Sequence, residues 1–79
     1  MDEQALLWRI TVNPEIFGGK PIIRGMRISV EMIVALLSQG ASFEELLEDY
    51  PQLEREDSLA CLAYARTILA DETYDPIAA

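Results

Sequence analysis

Residues 13–40, N-P-E-I-F-G-G-K-P-I-I-R-G-M-R-I-S-V-E-M-I-V-A-L-L-S-Q-G, are the stretch whose reading decides the fold. They hold all four glycines of the chain, two of its four prolines and three of its six basic residues. Punctuation that dense marks loops and turns of fixed shape. It runs without a spacer into the most apolar helical pattern of the sequence. Ser29 is placed as an N-cap, Glu31 lies in the first turn where a carboxylate suits the helix dipole, and Gly40 takes the C′ position. A helix is therefore expected over about 30–39. With only Glu31, Ser38 and Gln39 polar, it should be buried nearly all round and central to the core.

Upstream of that helix, Pro21-Ile22-Ile23 and Met26-Arg27-Ile28 flank Arg24-Gly25. Two short β-prone runs around such a pair predict a hairpin, with a type I turn and a glycine bulge. Lys20, Arg24 and Arg27 are then displayed on or beside it. They would contact phosphates or an acidic partner, or balance the acids of the later helices. Gly18-Gly19-Lys20 resembles an anion cradle, but a phosphate fingerprint needs more glycines and a helix starting directly after them. A tight connection, with Ile16 and Phe17 tucked into the core, is the better reading.

Further out on the N-terminal side, A-L-L-W-R-I-T-V (residues 5–12) alternates. Leu6, Trp8, Ile10 and Val12 on one face predict a half-buried strand, stopped by Asn13-Pro14. Strand and hairpin together occupy about residues 6–28. On the C-terminal side, Ser42-Phe43-Glu44-Glu45 is a capping box that opens a short amphipathic helix over 43–50, closed by Pro51. The Gly-Ala-Ser joint between the two helices resembles a helix-turn-helix connection. A last helix is expected over 54–70. Its core stripe is read as Leu59, Leu62, Ala63, Leu69 and Ala70, with Arg66 at the edge. Cys61, Ala65 and Ile68 form a second stripe, read as an oligomer or partner interface. The tail, residues 71–79, is acidic and proline-interrupted, and is expected to be a mobile end. The resulting fold class is α+β, mainly α: a short strand and a hairpin on a three-helix, helix-turn-helix unit, in one domain over residues 1–79.

Charge is unevenly placed. The net charge is −8. Residues 1–30 carry four cations against three anions, whereas residues 31–79 carry two cations against eleven anions. An acidic chain is repelled by nucleic acid, whose binding is dominated by phosphate neutralisation. Any DNA contact must therefore use the basic hairpin, as a wing on backbone phosphates that positions without specifying sequence. In a trihelical DNA reader the last helix would enter the major groove with its first residues on base edges. Here those residues are Glu54, Arg55, Glu56, Asp57 and Ser58, and only Arg55 suits the task.

Chemistry is not indicated. Histidine is absent and there is one cysteine, so no zinc ligand set and no general base of the usual kind is available. Cys61 sits among Ala and Leu, where a thiol behaves as a small hydrophobe. Ser29, Ser42 and Ser58 all stand at helix starts. No cofactor, metal or catalytic residue is expected, and the chain reads as a binding module, not an enzyme. There is no apolar run long enough for a membrane span and no secretory leader pattern, so a cytoplasmic protein is expected.

Taken together, Asn13-Pro14, Gly18-Gly19-Lys20-Pro21, Ile23 to Ile28, Val30, Gly40, Ser42, Glu45, Leu47, Asp49-Tyr50-Pro51, Leu53, Glu56-Asp57 and Ala63-Tyr64-Ala65 resemble the small prokaryotic DUF433 family over roughly residues 8–66. The usual pattern has threonine after the hairpin glycine, where this chain has Met26. The resemblance implies a β-hairpin or small sheet attached to a homeodomain-like three-helix unit. It also implies an antitoxin-like protein, encoded beside a PIN-like nuclease toxin that it neutralises by direct contact; many such antitoxins also bind their own operator. The expected function is thus an antitoxin-like interaction protein with a nuclease partner, acting as a homodimer, with operator DNA as a further ligand. A stand-alone DNA-binding regulator and a purely structural oligomerisation module are the alternatives.

Overall fold

The computed structural model describes residues 2–71; residues 72–79, most of the expected mobile tail, lie outside the described residues. In chain order the elements are α1 (Glu3–Leu7), β1 (Ile10–Thr11), a short 3-10 turn (Phe17–Gly19), β2 (Ile22–Ile23), α2 (Val30–Ser38), α3 (Phe43–Asp49) and α4 (Arg55–Ala70). The fold is mainly helical, with β1 and β2 forming a two-stranded antiparallel sheet in which Ile10 faces Ile23 and Thr11 faces Ile22. No helix among the described residues is long and apolar enough to cross a membrane.

The first element departs from expectation. Of the strand expected over 5–12 only Ile10–Thr11 forms; the part before it is a helical turn, because Asp2 caps it: its Oδ1 accepts the Ala5 amide at 2.8 Å. An N-cap bond of this kind outweighs weak β propensity over so short a segment. α1 lies against α4, with Arg66 2.9 Å from Glu3 across the junction. Trp8 closes α1 in helical geometry and so leaves the predicted alternation. It is 75% exposed, and Val12 is exposed too. Ile10 alone of the four expected inward residues packs against the core cluster.

The hairpin forms, with a different turn. The Met26 amide donates to the Ile23 carbonyl at 2.7 Å, the Ile23 amide to Ile28 at 3.1 Å, and the Val30 amide to Pro21 at 3.0 Å. Both central residues have left-handed backbone, Arg24 at φ 43° and Gly25 at φ 72°. Type I values were expected, but positive φ at both positions matches the strand twist better. Glycine takes such a conformation freely, whereas arginine is strained by about 1 kcal/mol or more. The hydroxyl that meets this turn comes from Thr11, which accepts the Gly25 amide at 2.9 Å. In the preceding loop Ile16 is buried as expected, but Phe17 is exposed.

α2 and α3 form as their caps dictate. The Ser29 hydroxyl accepts the Met32 amide at 3.0 Å. At the other end Gly40 (φ 98°) lets its own amide reach Leu37 and the Ala41 amide reach Leu36, both at 3.0 Å. That is the paired bonding of a Schellman C-cap. Ser42 and Glu45 exchange the two capping-box bonds, at 3.1 and 2.9 Å. α2 is nevertheless not buried all round: Val30 and Ile33 are buried, while Met32, Val34, Leu36 and Leu37 are only partly covered. The core comprises Ile23, Ile28, Val30, Ile33, Leu46, Leu53 and Cys61.

The largest correction concerns α4. Its bounds match expectation, but the helix is rotated relative to the predicted stripe. Asp57, Ser58, Ala60 and Cys61 face inward. Leu59, Leu62, Leu69 and Ala70, expected in the core, are exposed, and Ala63 is partly covered. The reason is Asp57. Once that carboxylate is fixed inside, the residues three, four and seven positions later must follow it, and these are Ala60, Cys61 and Tyr64.

Candidate functional site

The inward turn of Asp57 builds an ion cluster at the start of α4. Its carboxylate has no exposed surface. Arg24 grips it in the two-pronged manner of a guanidinium fork, with Nε 3.0 Å from Oδ1 and Nη2 2.8 Å from Oδ2. Arg9 Nη1 donates to Oδ1 at 3.0 Å and to Glu54 Oε1 at 2.7 Å. The Glu54 amide donates to Oδ2 at 2.8 Å, closing the first turn of α4. Arg24 also donates to the Gln52 carbonyl at 3.0 Å, and its amide to the Arg9 carbonyl at 2.8 Å. The hairpin turn, the segment after α1 and the α4 N-terminus are thus tied at one point.

Electrostatics follow from that geometry. Burial pushes the Asp57 carboxyl up, but the bonds from Arg24, the Glu54 amide and Arg9 outweigh it and hold its pKa below the ordinary value. The bonds to Glu54 and Asp57 raise Arg9, and the bond to Asp57 raises Arg24. Burial, aided by the Asp57 charge, pushes the Cys61 thiol up to about 12. That thiol stays protonated and hidden, so it lacks the thiolate that nucleophilic cysteines need.

The residues marked from sequence are therefore dispersed. Arg24 turns inward to Asp57. Lys20 pairs with Glu31 at 3.0 Å, both side chains being exposed. Arg27 is exposed, and no hydrogen bond or ion pair involves its side chain among the described residues. Arg55 lies over the Phe43 ring, 4.8 Å from its centroid, and 3.7 Å from Glu44. Of the supposed interface stripe, Cys61 is in the core, Ala65 is partly covered, and only Ile68 is open, at 55% exposure. Cys61 therefore cannot contribute to an interface.

Two surfaces stand out instead. One is the outward face of α4, where Leu59, Leu62 and Leu69 are exposed. The other is α3, where the exposed carboxylates of Glu45, Glu48 and Asp49 have no ion pair among the described residues. Beside α4, a shallow apolar depression of about 250 Å³ is lined by Pro21, Val34, Tyr64, Ala65 and Ile68 among others. A second, of about 380 Å³ and sharing Pro21 and Tyr64, adjoins it.

Comparison with known proteins bears on the same region. A family model described as "Protein of unknown function (DUF433)" matches residues 10–65. The uncharacterized protein y4eO of Sinorhizobium fredii is 38% identical over 56 residues, 71% of this chain. Those residues are 25% of that protein, so the chain spans about a quarter of the curated relative it matches. The crystal structure of a DUF433 member from Anabaena variabilis is similar with a TM-score of 0.74 and 38% identity, over 86% of this chain and 67% of that one. The matched residues contain Arg24 and Asp57 and α4 as far as Ala65, and on this footing the chain belongs to the DUF433 family.

Proposed function

We propose that the chain is a non-catalytic interaction protein of the antitoxin type, which binds a PIN-like nuclease and masks its basic RNA-binding surface. The observation that carries this reading is where the charges point. Arg9 and Arg24 are turned onto Asp57 and Lys20 onto Glu31, so these cations are engaged within the chain. The carboxylates of Glu48 and Asp49 on α3 are exposed with no ion pair among the described residues, beside Glu45, whose carboxylate accepts the Ser42 amide. A surface charged in this way steers association with a basic protein and repels nucleic acid.

A DNA-binding role rests on the hairpin cations, of which Arg27 alone is exposed and unpaired among the described residues. The α4 N-terminus adds Arg55, held over Phe43, amid Glu54 and Glu56. One free arginine supplies little of the phosphate neutralisation that such binding requires.

Co-expression with the product of the adjacent gene tests the proposal. The chain should restore growth and co-purify with that product, and the double replacement Glu48→Lys, Asp49→Lys should abolish both while leaving the fold intact. Failure of the wild-type chain to co-purify, or full rescue by the double variant, overturns it.

A further inference from the structure

The outer face of α4 carries a regularity that the antitoxin reading does not use. Arg55, Leu59, Leu62, Arg66 and Leu69 recur at steps of four, three, four and three residues, the spacing of a coiled-coil seam. All five side chains lie on the side of α4 opposite Ala60, Cys61 and Tyr64, the residues it turns to its own core. The three leucines are 36%, 43% and 64% exposed. A helix with one packed face ordinarily shows charge on the other.

The flanks are as informative as the seam. Ala65 borders it on one side, and Ala63 and Ala70 on the other, while its arginines are matched within the chain, Arg66 by Glu3 at 2.9 Å and Arg55 by Glu44 at 3.7 Å. Coiled coils usually place long charged side chains at these flanking positions. Small ones let a second helix approach closely and impose no charge rule on its identity. From these observations the geometry points to a second copy of this chain, packed through α4 against α4, as the occupant of the seam.

Charge favours that occupant. Two chains of net charge −8 repel each other through most of their surface. A copy approaching through α3 would set Glu44, Glu45, Glu48 and Asp49 against their equivalents. The α4 face instead presents two arginines already matched one to one by Glu3 and Glu44, so the seam itself carries little net charge to oppose a second copy. Antiparallel pairing keeps the arginines off their own equivalents, which parallel pairing would stack. With 16 residues α4 offers a seam of about 24 Å, and a two-fold contact of this kind closes on itself as a dimer.

Light scattering and sedimentation equilibrium on the whole chain test this. The wild type should show twice the 8.9 kDa chain mass at tens of micromolar, and Leu62→Glu and Leu69→Glu should each give the single-chain mass with an unchanged helical circular dichroism spectrum. Ile68→Glu, off the seam, should retain the dimer. A wild type that is monomeric up to millimolar concentration overturns the inference. So does a dimer that survives both leucine variants or that Ile68→Glu alone dissociates. These outcomes require no nuclease and no DNA, so they stand apart from the test of the antitoxin reading.

Discussion

Asp57→Asn is the perturbation that most directly tests how this fold is held. The asparagine keeps the shape and an acceptor for the Glu54 amide, but leaves the Arg9 and Arg24 guanidinium groups without their shared anion. Removing one member of a buried ion pair costs about 3–5 kcal/mol. Here the arginines are not fully buried, with side chains 22% and 38% exposed. Water therefore recovers part of the loss, and about 2–3 kcal/mol is the expected cost. For a chain of this length that corresponds to a fall in Tm of roughly 10–20 °C, at about 4–8 °C per kcal/mol. The sign of the pH dependence is also fixed. The folded-state pKa of Asp57 lies below its ordinary value. Its contribution is therefore complete above the unfolded value of about 3.9 and is lost as pH falls through the folded one. In urea titrations followed by circular dichroism, the gap between wild type and Asp57→Asn should hold steady from about pH 7 to about pH 5 and narrow below about pH 4. A gap smaller than about 1 kcal/mol at neutral pH, or one unchanged down to about pH 3, would refute the assignment of Asp57 as a charged clamp.

Three further outcomes are expected. Arg24→Gly should be more stable than Arg24→Ala by about 1 kcal/mol, because both lose the guanidinium but only glycine relieves the left-handed backbone at φ 43°; equal urea midpoints would show that no strain resides there. Ser42→Ala removes one arm of the capping box and should cost about 1 kcal/mol, measured by thermal melting. Cys61 should resist alkylation at pH 8 in the folded protein and react once the chain is unfolded in urea, since its thiol is buried and its pKa is pushed up to about 12; rapid labelling without denaturant would place it outside the core.

Much of the fold is legible in the sequence, and the legible parts share a cause. Ser29, Gly40, Ser42 and Glu45 act within one turn of the backbone, so local chemistry alone fixes the ends of α2 and α3. The hairpin is also readable from Arg24-Gly25 between two β-prone runs, though not the destination of the Arg24 side chain, which is Asp57, 33 residues away. The rotation of α4 was hidden for the same reason. A carboxylate in the first turn is ordinarily solvated, so Asp57 is read as facing outward, and the leucines are assigned inward to match. Only the positions of Arg24 and Arg9, 33 and 48 residues away, reverse that assignment. A local signal does exist, for Glu54 and Asp57 stand at capping-box spacing, but it does not report the arginines. The outward leucines of α4 follow from that single reversal, and the segment before Ile10 from the capping ability of Asp2.

The clamp at Asp57 also bears on how this sequence can drift. Arg9, Arg24 and Asp57 come from three separate segments, yet losing Asp57 strands both arginines and losing either arginine leaves the buried carboxylate under-compensated. Replacing all three with well-packed apolar residues need not be costly, but each intermediate on the way is. The three positions are thus expected to pass between relatives as a set: two arginines with an aspartate, or none of them. A lone Arg24 in a left-handed turn, without its acid, would keep the backbone strain and lose the contact that sustains it.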